Sequence, residues 1–284
     1  MLWLRRRHRR ERTLCSTLFN LEIEVSTATF RFYAELNDFL SSSKRGVDFE
    51  HVFSGRPSVK DMIESFGVPH SEVDLVLING ESVDFTAPVR DGSRVSVFPV
   101  FESIDIAPIA RVRPEPLREP RFVLDVHLGR LAAYLRMAGF DVSWRNDRGD
   151  EELARISRSE GRILLTRDRD LLKRSAVTHG YWMRQTQPRQ QLIEVLHRFD
   201  LLRSISPFTR CLRCNDLLRA TDKLHVESKL PPRVRERQTE FKTCPSCNRI
   251  YWKGSHHERM KELISELREG ASAAKSVIGS RGGE

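Results

Sequence analysis

Apolar and polar residues alternate regularly between residues 27 and 104, and the pattern predicts a small mixed domain. The predicted strands cover residues 28–36, 73–78 and 94–99, and the predicted helix covers residues 59–66. Ser58 is a suitable N-cap for this helix, and Gly67 ends it. The second strand ends at Asn79 and Gly80, a pair that strongly favours a β-hairpin.

Short apolar runs alternate with segments of helical spacing over residues 121–206, which predicts a second domain. The apolar runs cover residues 122–124, 140–144, 163–166 and 181–183, and helical segments follow at 128–135, 150–160, 170–175 and 192–199. Gly139 and Gly161 end the first two of these helices. Strands that alternate with helices imply an α/β fold with a mostly parallel sheet flanked by helices.

Three further segments lack the pattern of a folded core. Residues 1–26 hold six arginines and are expected to form a disordered basic arm. Residues 105–120 hold four prolines, a composition that predicts a Pro-rich linker. Residues 261–284 are expected to begin as a charged, solvated helix and to end as a flexible tail rich in Ala, Ser and Gly.

The net positive charge of the chain indicates which kind of partner it can bind. Its formal net charge is +9, which favours a polyanion partner, although solubility alone is the competing explanation. No apolar run reaches the roughly 18 residues of a membrane span, and the N-terminal segment lacks the apolar core of a secretory signal. We therefore expect a cytoplasmic protein with no membrane partner and no small-molecule cofactor.

Four acidic residues stand where predicted strands end or helices begin: Asp125, Asp150, Asp168 and Asp170. Each alone has an ordinary structural explanation, with Asp150 or Asp170 as a helix N-cap and Asp168 as a turn residue. Together they predict a cluster at one edge of the sheet, and clustered carboxylates share protons or bind a cation. Oxygen ligands suit Mg²⁺ or Mn²⁺, and such ions serve phosphoryl chemistry.

The run Thr-Arg-Asp-Arg-Asp follows the third apolar run of the α/β domain. If the run is extended, Asp168 and Asp170 lie on the same side and can face one cation, since side chains alternate along a strand. Arg167 and Arg169 then lie on the opposite side, and we expect at least one of them to form a salt bridge. Lys173 is a similar basic residue on the next helix. Arg167 and Lys173 are accordingly candidates for phosphate contact.

Four of the five cysteines form two Cys-x-x-Cys pairs separated by 29 residues. The pairs are Cys211 with Cys214 and Cys244 with Cys247, and they predict a zinc ribbon over residues 207–260. Redox dithiols are the alternative. Because four thiolates fill a tetrahedral site, the Zn²⁺ is expected to be structural.

Aromatic and basic residues follow the second cysteine pair, from Tyr251 to Arg259. Lys253 and His256 are candidates for contact with nucleic acid, because aromatic side chains beside basic ones can stack bases and hold phosphates. The alternative is that Tyr251 and Trp252 pack the ribbon onto the core of the α/β domain.

The segments RFVLDVHLGRLAAYLRMAGFDV, DEELARI and GRILLTRDRDL resemble the PIN-like nuclease domain of the Mut-seven C-terminal RNase family. The ribbon segments RCLRCN and KTCPSCNRIYWKGSHHERM resemble the same family. The resemblance implies a metal-dependent RNase whose acidic residues fall on Asp125, on Asp150 with Glu151, and on Asp168 with Asp170. It adds Glu151 to the candidates, as a direct ligand or as a residue that acts through water.

The segments LINGESV and DGSRVSVFPV resemble a ubiquitin-like β-grasp domain of the sulfur-carrier type, which some members of that family carry in front of the nuclease. Sulfur carriers end in a free Gly-Gly, whereas here the last strand continues into further chain. We therefore expect the domain to dock onto the nuclease or onto a protein partner and not to carry sulfur.

Two functions from different classes follow. The first is an RNase that hydrolyses RNA phosphodiester bonds with a carboxylate-bound Mg²⁺ or Mn²⁺. The second is a non-catalytic RNA- or ribosome-associated binding module that docks through its zinc ribbon and β-grasp domain.

Overall fold

The structure is a computed structural model that describes residues 25–101, 106, 108–112, 120–255, 257–259 and 261–266. The predicted basic arm therefore lies outside the described residues except for residues 25 and 26, as do most of the predicted linker, His256 and residues 267–284. Within the described residues, every helix is too short or too polar to cross a bilayer.

The first domain is a five-stranded sheet with one helix packed against it. The strands are β1 (Val25–Phe32), β2 (Phe49–Ser54), β3 (Val73–Ile78), β4 (Glu81–Ser82) and β5 (Arg94–Pro99), and the helix is α1 (Val59–Ser65). The sheet order is β2-β1-β5-β3-β4, with β1 and β5 parallel and the other neighbours antiparallel. Ser58 caps α1 in a capping box with Asp61, as the sequence predicts. Strand β2 was not predicted, because Glu50, His51 and Ser54 weaken its apolar signal.

The second domain is a parallel sheet flanked by helices, which confirms the predicted fold class. Its strands are β6 (Phe122–Leu124), β7 (Val142–Ser143), β8 (Ile163–Thr166) and β9 (Gly180–Trp182), in the order β7-β6-β8-β9. Its helices are α2 (Gly129–Met137), α3 (Asp150–Glu160), α4 (Arg169–Leu172) and α5 (Pro188–Arg198). All neighbouring strands run parallel.

Side chains of the central strands alternate between two cores. Phe122 and Leu124 face the core that α2 and α5 cover, whereas Val123 and Leu164 face the core that α3 and α4 cover. The helix after β6 therefore lies on one face of the sheet, and the helix after β8 lies on the other. The crevice between the carboxyl ends of β6 and β8 is thus a topological switch point, where open α/β sheets bind ligands.

The third unit is an antiparallel sheet of three short strands. They are β10 (Arg219–Thr221), β11 (Phe241–Thr243) and β12 (Ile250–Trp252), and the helices α6 (Lys223–Val226) and α7 (Pro232–Arg237) lie between the first two. Val226, Leu230 and Phe241 form its small core. Because this core is small, the unit needs further support, which the cysteines and the second domain provide.

The residues beyond the ribbon differ from the prediction of a solvated helix. Residues 261–266 are helical, but Leu263 and Ile264 are buried in the core beside α2 and α5. Glu266 forms an ion pair with Arg189 at 2.7 Å. The apolar pair therefore anchors this segment to the second domain.

The first two domains dock through a buried ion pair. Glu72 is 1% exposed, and its carboxylate accepts hydrogen bonds from the amide of Trp182 and from the guanidinium of Arg184, the latter at 3.2 Å. Arg184 also pairs with Asp38 at 3.1 Å, and Arg198 pairs with Glu35 at 3.1 Å. The contact fixes the first domain on the β9 side of the parallel sheet.

Removing one partner of this ion pair should loosen the docking. We predict that Glu72→Ala lowers the free energy of unfolding by about 3 kcal/mol, because the half-buried Arg184 loses one of its two carboxylate partners and the Trp182 amide loses its acceptor. Chemical denaturation measures the change. Glu50→Ala, at an exposed position of β2, is the matched control and should stay within about 0.5 kcal/mol of wild type. Equal stability of the two variants would contradict the role of the pair.

Candidate active site and cysteine cluster

Asp125 and Asp168 follow strands β6 and β8, and one buried hydroxyl contacts both the Asp125 carboxylate and the Asp168 backbone amide. The Thr166 hydroxyl donates to Asp125 Oδ2 at 2.8 Å and accepts a hydrogen bond from the Asp168 amide at 2.9 Å. Thr166 is fully buried, so its hydroxyl is fixed between these two partners. We call Asp125, Thr166 and Asp168 the acidic edge.

Asp125 is the buried carboxylate of the acidic edge. It is 8% exposed, and no lysine or arginine among the described residues forms an ion pair with it. Thr166 supplies a neutral hydrogen bond, which compensates a buried charge only in part. The site therefore favours a cation beside Asp125.

Asp168 is the N-cap of α4, not part of an extended segment. Its Oδ1 accepts hydrogen bonds from the amides of Asp170 at 2.8 Å and Leu171 at 3.4 Å. The prediction that Asp168 and Asp170 share one side of an extended run is therefore wrong, because the helix begins between them. The expected salt bridge is also absent: Arg167 and Arg169 form no ion pair with a described carboxylate.

Asp150, Glu151 and Asp170 are exposed, as Asp168 is, and we call these three residues the rim. Asp150 is the first residue of α3, whose N-cap is Gly149, so the prediction of Asp150 as N-cap is wrong. Its carboxylate lies 3.7 Å from Arg174, and the carboxylate of Asp170 lies 3.4 Å from Lys173. Acidic residues in a first helical turn are also stabilised by the helix dipole.

The four predicted aspartates do not form one compact cluster in the structure. Among the residues described, three or more potential ligand atoms of His, Cys, Asp or Glu come within 4.8 Å of one another only at the cysteines. Like charges repel when no cation lies between them, and two of the aspartates pair with basic side chains instead. The acidic edge therefore contains two of the predicted acidic residues, and Asp150, Glu151 and Asp170 lie outside it.

A basic groove of about 840 Å³ begins at Glu151 and runs along α3. Arg155 and Arg158 line one wall and Arg174 the other, with small residues between them. Arg155 and Arg158 are exposed, and neither has an ion-pair partner within the described part of the chain. Their charges therefore remain open to a ligand.

The two cysteine pairs fold as matching turns. The amide of Asn215 donates to the carbonyl of Cys211 at 2.9 Å, and the amide of Asn248 donates to that of Cys244 at 2.9 Å. Both asparagines have positive φ, of +73° and +57°, a conformation that asparagine tolerates better than most residues. Each turn thus aims two thiols at the same point.

The four sulfur atoms suit tetrahedral coordination. Sγ of Cys211 lies 3.5 Å from that of Cys247, and Sγ of Cys214 lies 3.3 Å from that of Cys244. A Zn–S bond of about 2.3 Å places tetrahedral sulfurs roughly 3.8 Å apart, so these pairs need to move apart by only a few tenths of an ångström to hold zinc. Four thiols without an acid or a histidine are a donor set typical of structural zinc.

Tyr251 belongs to the surroundings of the cysteine site. Its hydroxyl lies 3.1 Å from Cys211 Sγ and accepts a hydrogen bond from the Leu212 amide at 3.0 Å. Burial raises the pKa of Cys211, but the hydroxyl and backbone amides of the turn outweigh it and lower the pKa to about 6. A thiolate, the form that binds metal, is therefore favoured at Cys211, whereas burial raises the pKa of Cys214 and of Cys247.

The ribbon is joined to the parallel sheet by Arg136 of α2. This side chain is 3% exposed and donates to the carbonyls of Leu212 at 3.0 Å, Arg213 at 2.8 Å and Val142 at 2.9 Å. The first cysteine turn thus rests on the end of β7.

The candidate contacts beyond the cysteines have different surroundings. Tyr251 is partly buried beside the cysteines, and Trp252 is partly buried in the small core of the ribbon. The hydrogen bonds and apolar clusters of the described residues place both side chains against the ribbon and not against the core of the second domain. Lys253 is exposed and pairs with Glu240. His256 lies outside the described residues.

Sequence reasoning missed Thr166, Arg155 and Arg158. Thr166 is the one polar residue in the apolar strand β8, and its place directly before the acidic run was a usable signal. Arg155 and Arg158 lie three residues apart on α3, a spacing that places two side chains on one face. The sequence does not reveal that this face lines a groove, because the other wall of the groove contains Arg174, which is distant in sequence.

The comparisons with known proteins agree with this architecture. Residues 120–264 match the family of the Mut7-C RNAse domain, and residues 25–105 match the Mut7-C ubiquitin family. No curated protein and no solved structure matches the chain.

The cysteine site makes a measurable prediction. We expect one Zn²⁺ per chain, and we expect the double variant Cys211→Ser with Cys244→Ser to lose it. In Tyr251→Phe the affinity for zinc should be about tenfold lower, because Cys211 loses a hydrogen bond. Competition with a chelator measures the affinity, and Trp252→Phe is the control on the same strand. Protein purified without zinc, or an unchanged affinity in Tyr251→Phe, would contradict this account.

Proposed function

The chain belongs to the Mut7-C RNAse domain family, and from that premise we propose that it is a metal-dependent ribonuclease that hydrolyses RNA phosphodiester bonds at the acidic edge. One observation carries the proposal: Asp125 is buried at the switch point of a parallel sheet, beside Asp168 and without a basic partner among the described residues. That arrangement suits a divalent cation with oxygen ligands.

Asp125 and Asp168 are the residues that would hold Mg²⁺ or Mn²⁺. Asp125 Oδ2 is oriented by Thr166, and Asp168 Oδ1 is fixed by two amides of α4, so each carboxylate has its other oxygen for the ion. When bound, such an ion supplies Lewis-acid chemistry that polarises a phosphate oxygen and lowers the pKa of water.

The rim residues complete the site in this proposal. Asp150, Glu151 and Asp170 act through water or turn toward the substrate, and their exposure leaves them free to do so. Arg174 and Lys173, which pair with Asp150 and Asp170, contact the phosphates once RNA enters. Arg167, Lys253 and His256 are further candidates for contact with RNA.

The substrate strand follows the basic groove beside Glu151. Arg155 and Arg158 lie on one face of α3 with open charges, and Arg174 joins the groove to the rim of the site through Asp150. Arg155 and Arg158 carry like charges three residues apart, and such a pair slightly destabilises a helix. The two arginines therefore do not contribute to the stability of α3. An RNA phosphate backbone compensates both charges.

The zinc ribbon holds its metal for structural reasons in this account. Its four cysteines leave no open position on a tetrahedral ion, and Arg136 fixes the ribbon to the sheet. The ubiquitin-like domain docks through Glu72 and Arg184, which leaves its outer strand β2 available to a protein partner.

The catalytic assignment predicts a loss of activity without a loss of fold. Asp168→Asn should reduce the rate of cleavage of single-stranded RNA with Mn²⁺ by at least about 100-fold, because an amide is a poor ligand. Its stability should stay within about 0.5 kcal/mol of wild type, because asparagine keeps the N-cap. Asp168→Ala loses the cap as well and should be about 1 kcal/mol less stable.

Three outcomes of the cleavage assay have different meanings. Cleavage by Asp168→Asn at the wild-type rate would remove Asp168 from the mechanism. Wild-type protein that binds RNA but cleaves none with Mg²⁺ or Mn²⁺ would favour the non-catalytic binding module. Activity that survives complete removal of divalent ions would contradict the metal dependence.

The groove predicts a change in the salt dependence of binding. The binding experiment uses an Asp168→Asn background, which prevents cleavage. In that background, Arg155→Ala with Arg158→Ala should reduce the magnitude of the slope of log affinity against log salt by about 1.4, because each phosphate contact to a single strand contributes about 0.7 to that slope. Fluorescence anisotropy with a labelled RNA measures it. The control removes two exposed arginines of the first domain, Arg56→Ala with Arg90→Ala. An equal change in both double variants would show non-specific charge attraction instead.

A further inference from the structure

The ubiquitin-like domain reaches the segment that carries the acidic residues Asp168 and Asp170. The 3₁₀ turn Ala34–Phe39 and the turn His70–Glu72 of this domain face α4 and β9. The ubiquitin-like domain therefore covers the surface of the second domain that lies beside the acidic edge. If the domain served only as a docking unit, its interface could lie anywhere on the second domain. Its position beside the acidic edge therefore needs a further explanation.

Arg169 lies between the two acidic residues and is held by aromatic rings. Its Cζ lies 3.9 Å from the ring centroid of Trp182 and 5.1 Å from that of Phe39. Trp182 belongs to the nuclease, whereas Phe39 belongs to the ubiquitin-like domain, and the two rings lie 5.3 Å apart. Because Arg169 has no carboxylate partner within the described residues, the ring faces are what holds its guanidinium.

Two hydrogen bonds hold the same segment at its ends. The Trp182 indole N–H donates to the carbonyl of Arg167 at 3.2 Å, and the Ser71 hydroxyl donates to the carbonyl of Leu172 at 3.0 Å. The segment between them is the single turn α4, with Asp168 as its N-cap. A helix this short is not stable alone, so its position depends on what packs against it.

We infer that the ubiquitin-like domain is a positioning element of the nuclease, in which Phe39 acts through Arg169 to hold Asp168 and Asp170 in place. The inference rests on the proposed function for its catalytic consequence. Displacements of about 1 Å at a catalytic group can cost about 100-fold in rate, so a small shift of α4 is enough to matter. Phe39 and Arg169 are positioning residues and take no part in the chemistry.

The test changes the ring of Phe39 and leaves its apolar character. Phe39→Leu should lower kcat on single-stranded RNA about tenfold with KM unchanged, because RNA binding does not use this contact. Hydrogen exchange at the amides of Asp170 and Leu171, which donate to Asp168, should become faster. Phe39→Tyr should restore both. Phe53→Leu, the same change on strand β2, is the matched control and should behave as wild type.

A double variant separates positioning from general destabilisation. If Phe39 acts through Arg169, Arg169→Met lowers kcat by a similar factor, and Phe39→Leu adds no further loss to it. Losses that multiply in the double variant would overturn the inference. So would wild-type kcat and wild-type exchange in Phe39→Leu. If the wild-type protein cleaves no RNA, the proposed function fails, whereas the exchange rates still decide whether Phe39 holds α4.

Discussion

The carboxylate of Asp125 is buried at the end of strand β6, and the free-energy cost of its charge explains much of the surrounding arrangement. A buried charge needs an opposite charge, several hydrogen bonds, or both. The described structure supplies one neutral hydroxyl, from Thr166, and places the second aspartate of the edge on the same hydroxyl. Among the described residues, the basic side chains pair with the rim and not with Asp125. In the function that we propose, a divalent cation at the switch point of the sheet would compensate this charge.

The three folded units support that edge in different ways. The ribbon lies at the β7 side of the parallel sheet, where Arg136 donates to carbonyls of both units. The ubiquitin-like domain lies at the β9 side, where Arg184 joins Glu72 and Asp38. The central strands β6 and β8 are thus flanked by covered neighbours, and their carboxyl ends form a site between fixed walls. A site on rigid elements holds catalytic groups more accurately than one on free loops.

Local signals in the sequence were sufficient where one interaction decides the structure. The Ser58 cap, the left-handed Gly161 and the two cysteine turns each depend on a few neighbouring residues, and each lies where it was predicted. The parallel sheet followed from the alternation of apolar runs and helical segments. Predictions failed where two local solutions compete: Gly149 and not Asp150 is the N-cap of α3, and Asp168 caps a helix where an extended run was expected. Features that depend on tertiary contacts could not be predicted from local sequence. Examples are the burial of Leu263 and the stacking of Arg169 on Trp182.

The most direct test of the account is to locate the ion itself. Crystals of the protein grown with Mn²⁺ and measured at the manganese absorption edge show where manganese binds, whatever the activity of the preparation. The account predicts an anomalous peak at the acidic edge, about 2.0–2.6 Å from carboxylate oxygens of both Asp125 and Asp168. A fully ordered edge without a peak, or a peak at the rim with no ligand from Asp125, would contradict it.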